Sequence, residues 1–258
     1  MKIYIHTDLE GISDICDHEI IRSDHPKHRF CIERLMADVN AAVDGAFLGG
    51  ADVVTVLDSH GGGGNFDLSL LDPRADLDTK DNNKWWGKLD ESYDGTFFIG
   101  AHAKAGTING FLDHTQSSEA WFNYLVNGRK TGELGQWAIV AGHFGVPMLM
   151  VSGDEAACAE AREFFGPIEC VPVKQGVGRH YARPYDYDNN LENIKNAAKN
   201  AIGLVETCKP YKPVLPMEII LETTRSDYCD NIANNTGVDR IDARTVRKIA
   251  HTHLELFF

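Results

Sequence analysis

The sequence predicts an α/β fold, with a mostly parallel sheet flanked by helices on both faces and a smaller C-terminal α+β lobe. Short apolar runs alternate with helical patterns over roughly the first two thirds of the chain, which is typical of β-α-β units in a parallel sheet. After about residue 185 a long polar helix and an alternating strand replace that pattern. We therefore expect an α/β domain over residues 1–170 and a smaller lobe over residues 171–258.

The first part of the chain predicts a strand, a helix and two further strands. Residues 2–7 are β-branched and aromatic, as in a strand. Apolar residues recur at helical spacing over 27–48, and the glycine pair at 49–50 ends that helix. Residues 52–57 and 95–100 are almost wholly apolar, which predicts strands buried on both faces of the sheet.

The next part adds a hairpin, two helices and two strands. Asn127-Gly128 predicts a hairpin within residues 120–134, because this dipeptide favours tight hairpin turns. The remaining elements of this part are a helix over 133–144, a strand over 147–152, a helix from an Asp154 cap to about Phe165 and a strand over 168–173.

The last part predicts the smaller lobe. A polar helix is expected over 188–208, and three prolines between 210 and 216 then interrupt regular structure. Residues 217–223 alternate like a half-exposed strand, and residues 242–253 favour a helix.

Composition excludes several classes of function. The 258 residues carry 25 Lys and Arg against 38 Asp and Glu, a net charge of −13, which argues against nucleic acid as a partner. The six cysteines form no CxxC pair, so a thiolate zinc site is not expected. The sequence contains no apolar run long enough to span a membrane and no leader-like start, so we expect a soluble cytoplasmic protein.

Three predicted strands end in residues that bind metals. Asp8 and Glu10 follow the first strand, His60 follows the second and His102 the third. Ligands of parallel α/β sheets bind at the carboxyl ends of the strands, so these four side chains can converge there. Taken singly, each has a plainer interpretation, such as a turn residue for Asp8.

Imidazole and carboxylate ligands without thiolate fit a catalytic zinc, or manganese or cobalt. Glu133, at the start of a predicted helix, would bring the ligand charge to −3, although an acidic residue also suits a first helical turn for its dipole alone. A carboxylate that bridges two ions would give a two-metal hydrolytic centre with an activated water.

Other candidate residues leave alternatives open. His114 follows the third strand and is either an acid, base or oxyanion stabiliser, or a solvated loop histidine. His6 either supports the metal ligands or belongs to the core. Trp85 and Trp86 either line a pocket or form an oligomer interface.

Together these residues resemble the DppA-type zinc-dependent D-aminopeptidases of bacterial dipeptide-transport operons. The likeness keeps its order from residue 1 to about 180 and continues more loosely over 237–242. The segments that carry it are DLEG at 8–11, DSH at 58–60 with Asn65, GAHAKA at 100–105, His114, and TGELG at 131–135. The later segments 146–154 and VKQ at 173–175 are also similar.

The resemblance implies a role for each of these positions. Asp8 would bridge two zinc ions, Glu10 and His102 would complete the shell of one ion, and His60 and Glu133 that of the other. His114 would be the catalytic histidine, described in the family as the nucleophile; a proton-transfer or oxyanion-stabilising role fits the residue as well. Family members assemble as rings of ten subunits around an internal chamber.

Two positions depart from the family pattern. His6 stands where the family has a small hydroxyl residue, and Asp113 precedes His114 where a serine is expected. These departures concern the substrate pocket and the role of His114 more than the metal ligands.

The sequence therefore predicts a di-zinc aminopeptidase that acts on short peptides with an N-terminal D-residue, such as D-Ala-D-Ala. It predicts a homo-oligomer, in the form of a decameric ring, with neither nucleic acid nor membrane as a partner. Alternatives are another binuclear metal amidase, an L-aminopeptidase on the same scaffold, or a peptide-binding protein without catalysis.

Overall fold

The computed structural model describes all residues from Met1 to Phe258. The strands are β1 (Lys2–Thr7), β2 (Val53–Asp58), β3 (Asp76–Asp78), β4 (Gly95–Ala101), β5 (Trp121–Val126), β6 (Arg129–Lys130), β7 (Met148–Asp154), β8 (Glu169–Gly178), β9 (Tyr181–Pro184), β10 (Met217–Thr223), β11 (Val238–Arg240) and β12 (Thr245–Ala250). The α-helices are α1 (His28–Gly49), α2 (Glu133–His143), α3 (Glu155–Phe165), α4 (Tyr187–Ala201) and α5 (Ser226–Ala233).

The larger sheet has seven strands in the order β3-β2-β1-β4-β7-β8-β9. All neighbours in it are parallel except β8 and β9, which form an antiparallel edge. The predicted α/β fold with a mostly parallel sheet is confirmed. Because β1 lies between β2 and β4, the carboxyl ends of these three parallel strands lie side by side at one edge of the sheet. Asp8, His60 and His102 come directly after these strand ends and therefore lie at that edge.

Helices cover both faces of this sheet. On one face α1 and α4 pack together, and their apolar side chains join Ile3, Ile5 and Phe97 in one buried cluster. On the other face α2 packs in a second cluster with Tyr4 and Phe98 of the larger sheet. Helix α2 therefore lies between the larger sheet and the smaller one, whose side chains share the second cluster.

The smaller sheet is antiparallel, in the order β11-β12-β10-β5-β6. It combines the predicted Asn127-Gly128 hairpin with strands that follow residue 217. The predicted division into domains 1–170 and 171–258 stays a prediction; β8 and β9 continue the larger sheet beyond residue 170.

The predicted helix over 242–253 is wrong. Thr245–Ala250 form the strand β12, which pairs with β10 along its whole length and buries Val246 and Ala250 against it. The β-branched residues Thr245, Val246 and Ile249 suit a strand, and the pairing partner lies more than twenty residues earlier. Helix α5 between β10 and β11 was not predicted.

None of the helices is both long and apolar enough to cross a bilayer.

Candidate active site

The turn after β1 carries Asp8 and Glu10, and a buried lysine fixes its path. The Lys174 ammonium donates hydrogen bonds to the carbonyl oxygens of Glu10 (2.5 Å), Ile12 (2.9 Å) and Ile15 (2.6 Å). The lysine side chain is fully buried, so water cannot replace these bonds. The backbone that presents the first two candidate ligands is thus held by one residue of β8.

Hydrogen bonds within the loop that follows β2 fix the position of His60. The Asp58 Oδ2 atom accepts the N–H groups of Asn65 (2.5 Å) and Phe66 (3.0 Å). The Asn65 side-chain amide donates in turn to Asp58 Oδ1 at 2.9 Å and to the His60 carbonyl at 2.7 Å. These bonds turn the glycine-rich loop back on itself and leave the His60 ring directed toward the end of β1.

His102 and Glu133 come from the end of β4 and the first turn of α2. The Nδ1–H of His102 donates to the carbonyl of Ala103 at 3.1 Å, which leaves Nε2 with its lone pair free. This Nε2 atom is buried without a hydrogen-bond partner, 3.4 Å from Asp8 Oδ2 and 3.5 Å from Glu133 Oε1. The N–H of Gln116 donates to Glu133 Oε1 at 2.6 Å and orients that carboxylate.

The structure brings all five predicted ligands together around Asp8. The Nδ1 atom of His60 lies 2.9 Å from Asp8 Oδ1 and 3.0 Å from Glu10 Oε2, while His102 faces Asp8 Oδ2. Asp8 therefore has one oxygen toward each histidine.

The candidate ligand atoms form two groups. Asp8, Glu10 and His60 make one, and His102, His114 and Glu133 the other, with all atoms of a group within 4.8 Å of one another. This grouping places His60 with Glu10 and His102 with Glu133, which differs from the pairing that the family resemblance implies; which residues share an ion stays a prediction.

His114 lies against this centre with a defined tautomer. Its Nδ1–H donates to the carbonyl of Leu112 at 2.7 Å, so Nε2 carries the lone pair. The ring stacks on that of His102 with centroids 4.0 Å apart, and Nε2 lies 3.6 Å from Glu133 Oε1. Asp113, the unexpected residue before it, accepts the N–H of Gly106 at 2.6 Å and pairs with Arg179.

The electrostatics of the centre call for added positive charge. Burial and the neighbouring Glu10 raise the pKa of Asp8. Burial also opposes the ionisation of Glu133, but the adjacent His102 outweighs it and lowers the pKa of Glu133 to about 2. Despite its own burial, His102 has its pKa raised well above the usual value by Glu133 and Asp8.

Two buried carboxylates, Asp8 and Glu10, and the partly buried Glu133 surround two imidazoles. This arrangement fits divalent cations, since buried charges require close partners. The unpartnered Nε2 of His102 and a donor set of nitrogen and oxygen without sulfur are those of a catalytic zinc site.

A cavity of about 330 Å³ opens beside the centre, walled by Trp85, Trp137 and Phe257. His6 lines it too, buried and stacked on Trp137 with ring centroids 4.2 Å apart, and burial lowers its pKa to about 3. Of the two interpretations left open for His6, its packing is that of a core residue, but its ring belongs to the wall of this cavity.

A second cavity of about 590 Å³ adjoins the first and is lined by His18, Arg22 and His28. Glu10, His60 and His114 line both cavities. These three side chains therefore stand where the two spaces meet.

The sequence did not single out Gln116 and Gln136, whose side chains lie in the first cavity and bond to each other at 2.9 Å. Gln136 lies one turn after Glu133 on the same face of α2. Its helical spacing from a candidate ligand was therefore the sequence feature that could have identified it as a site residue. Lys174 had only its place in a family-like segment to mark it.

Comparisons with known proteins agree with this geometry. A family model for D-aminopeptidases (peptidase M55) matches residues 1–257. A curated D-aminopeptidase of Bacillus subtilis (strain 168) is 37% identical over 227 residues, which cover 84% of this chain and 81% of that protein.

A solved structure is similar over nearly the whole chain. It is described as the Zn-dependent D-aminopeptidase DppA from Bacillus subtilis, a self-compartmentalizing protease, and superposes with a TM-score of 0.94 at 28% sequence identity. The superposition covers 99% of this chain and 94% of that one.

Proposed function

This chain belongs to the D-aminopeptidase family, and on that premise we propose that it removes the N-terminal residue from short peptides that carry a D-amino acid there. It is a zinc-dependent peptidase of this family. The observation that carries the proposal is Asp8, whose two oxygens face His60 and His102 at 2.9 and 3.4 Å.

We assign the zinc ligands to Asp8, Glu10, His60, His102 and Glu133. Asp8 would be shared between two ions per subunit, since it is the one carboxylate within reach of both histidines. When bound, such a pair of ions lowers the pKa of a water molecule and polarises the substrate carbonyl. Manganese or cobalt would suit the same donors.

His114 is the proposed catalytic residue. Because Leu112 fixes its Nδ1–H, the Nε2 atom is free to take a proton and to pass one to the leaving amine. His114 lines both cavities, so a peptide that extends from one into the other passes this nitrogen at the junction. We therefore favour proton transfer over a nucleophilic role for this histidine.

Gln116 holds Glu133 in place through its backbone N–H, and Leu112 holds His114 through its carbonyl. Both come from the segment that follows β4. This segment thereby sets the distance between the proposed proton carrier and the ligand carboxylate.

The assembly and the location belong to the proposal too. A relative described as self-compartmentalizing implies a homo-oligomer, and we propose the decameric ring of the family for this chain. Light scattering coupled to size-exclusion chromatography measures the subunit number directly. All six cysteines are free, which suits the proposed reducing cytoplasm.

The test is the initial rate on D-Ala-D-Ala and on L-Ala-L-Ala with zinc supplied, and again with chelator. We expect cleavage of the D-dipeptide that chelator abolishes. Cleavage of the L-dipeptide alone would keep the zinc peptidase and discard the D-specific assignment. Zinc-loaded protein that cleaves neither dipeptide would contradict the proposal.

A further inference from the structure

One lysine, Lys80, lies in the wall of the 330 Å³ cavity, and no other lysine or arginine lines this space. Its ammonium forms no ion pair and donates a single hydrogen bond, to the carbonyl oxygen of Gly62 at 3.1 Å. An ammonium has three N–H groups, so two of them remain for a ligand. The cavity therefore has a cation in its wall whose charge no carboxylate of the protein neutralises.

The loop that carries Lys80 is fixed by the buried Asp78 at the end of β3. Asp78 Oδ1 accepts the N–H of Lys80 at 2.8 Å, and Oδ2 accepts the Tyr4 hydroxyl and the N–H of Lys88. Lys80 itself has a φ of +55°, which is uncommon for a residue with a side chain. Such conformations persist where the surroundings enforce them, and they cluster at binding and catalytic sites.

The same loop contributes an aromatic wall to the cavity. The ring of Trp85 packs on Phe257 and Trp137, with centroids 4.9 and 6.2 Å away. On the other side, the Gly62 carbonyl that Lys80 contacts is two residues beyond the proposed ligand His60. Lys80 therefore stands between the proposed zinc centre and the aromatic wall.

We propose that Lys80 binds the free C-terminal carboxylate of a dipeptide substrate. This inference rests on the proposed aminopeptidase function. In a dipeptide the carboxylate lies only one residue beyond the scissile carbonyl, and one residue spans at most about 3.6 Å. A cation in the wall of the cavity that opens beside the zinc centre is suited to that short reach.

The charges of the cavity set the direction of the peptide. The α-ammonium of the substrate is repelled by Lys80 and attracted by the carboxylates of Asp8, Glu10 and Glu133. The carboxyl end is therefore the end that faces Lys80. In the second cavity Arg22 offers no equal site, because its guanidinium already donates to both Asp24 oxygens, at 3.1 and 3.0 Å.

D-Ala-D-Ala and its C-terminal amide form a matched pair, since they have nearly the same shape and differ in charge. We expect kcat/KM of the zinc-loaded enzyme, measured as consumption of the dipeptide, to be at least about 10-fold higher for the acid. This is the effect of one hydrogen bond to a charged group. The difference should lie in KM, because Lys80 contacts a part of the substrate that does not react.

Three variants assign the preference to this lysine. Lys80→Met removes the ammonium and should lower the ratio of the two kcat/KM values toward one, by raising KM for D-Ala-D-Ala. Lys80→Arg restores a cation and should keep part of the preference. Lys84→Met is the control, because Lys84 is an exposed lysine of the same loop that does not line the cavity, and it should keep the full ratio.

An acidic side chain on the first residue of the substrate offers the same chemical group. D-Asp-D-Ala and D-Asn-D-Ala differ in that group alone, and both have a free C-terminus. We expect Lys80→Met to leave the ratio of their kcat/KM values unchanged. If Lys80→Met lowers this ratio and not that of D-Ala-D-Ala to its amide, Lys80 binds the side chain and the inference is overturned.

The outcomes separate this inference from the function on which it rests. If wild-type enzyme cleaves D-Ala-D-Ala and its amide equally well, and does so only with zinc, the inference is overturned and the aminopeptidase stands. A high ratio that Lys80→Met leaves unchanged also overturns it. If zinc-loaded wild-type enzyme cleaves no D-dipeptide, the proposed function fails and this inference fails with it.

Discussion

At the scale of single residues, two stacked histidines have the same tautomer but differ in what surrounds the free nitrogen. His102 and His114 each donate Nδ1–H to a backbone carbonyl, of Ala103 and Leu112 respectively. Both therefore present Nε2, but only that of His102 is buried between two carboxylates. In the proposed assignment, an imidazole therefore binds zinc at His102, while the one at His114 remains available for proton transfer.

His114→Ala should lower kcat by about 100-fold or more, the usual contribution of a general acid or base. Zinc content, measured by elemental analysis after dialysis, should stay at the wild-type value. His143→Ala is the matched control, since it removes an exposed histidine of α2. Loss of zinc in His114→Ala would instead identify His114 as a ligand.

At the scale of elements, the turn after β1, which carries the proposed ligands Asp8 and Glu10, is supported from two sides. The Lys174 ammonium of β8 donates hydrogen bonds to three backbone carbonyl oxygens of this turn. Asp38 of α1 accepts the N–H of Ser13 at 2.9 Å. Both supporting side chains are fully buried. The geometry of Asp8 and Glu10 therefore depends on a helix and a strand that contribute no ligand.

Lys174→Met should destabilise the protein by about 2–4 kcal/mol, because it leaves three buried carbonyls without donors. Zinc affinity should fall by about 10-fold or more, as for other residues that orient ligands. Denaturant unfolding and competition with a chelating dye measure the two effects. Lys209→Met, at an exposed lysine, should change neither. Reduced stability with unchanged zinc affinity would limit Lys174 to a structural role.

Asp38 gives the stability a pH dependence of predictable sign. Burial raises its pKa from 3.8 to about 7, against the opposing hydrogen bonds from Ser13 and the charge of Lys174. At pH values between about 4 and 7, Asp38 is deprotonated in the unfolded chain but still protonated in the folded protein. This group therefore stabilises the fold less as pH rises through that range, by on the order of 4 kcal/mol in total, and its effect is constant above pH 7.

Asp38→Asn should remove this part of the pH dependence, so that the variant gains stability relative to wild type between pH 4 and 7. Urea unfolding at several pH values gives the difference. Asp188→Asn, at an exposed aspartate, should leave the profile unchanged. A difference between Asp38→Asn and wild type that does not vary with pH would show that Asp38 is already charged in the fold.

The elements that the sequence predicted well are those with a strong local pattern. Residues 2–7 and 217–223 match β1 and β10 in both bounds, and the Asp154 side chain caps α3 through the N–H of Ala157 at 2.8 Å. Strand β12 was predicted as a helix because its long partner β10 is distant in sequence, and its nearby partner β11 has only three residues and therefore a weak pattern of its own.

At the scale of the whole molecule, the convergence of the ligands could be predicted because it follows from parallel strands alone. The sequence could not predict which ligands are neighbours, since that depends on the closure of the His60 loop and on the position of α2. The residues that wall the first cavity could not be predicted for the same reason, because the cavity combines His6 of β1 with side chains of α2 and with Phe257 near the C-terminus.

Zinc should hold the whole molecule together as well as its active site. The candidate ligands follow β1, β2 and β4 or begin α2, and three of them are carboxylates that repel one another without a cation. Removal of zinc should therefore lower Tm by about 10 °C or more, as the loss of tight ligand binding does in a chain of this size. Calorimetry with and without chelator checks this, and Asp8→Ala should show no such shift. An unchanged Tm in zinc-free wild-type protein would contradict it.

The smaller sheet is connected to the centre by a very short link. Only Thr131 and Gly132 separate strand β6 from Glu133, and Thr131 is itself tied to β5 through the carbonyl of Tyr124 at 2.8 Å. A displacement of this sheet would therefore move Glu133, a proposed zinc ligand, through a connection of only two residues. An antibody fragment raised against the outer face of the smaller sheet would act as an allosteric effector, able to regulate the buried centre without entering it.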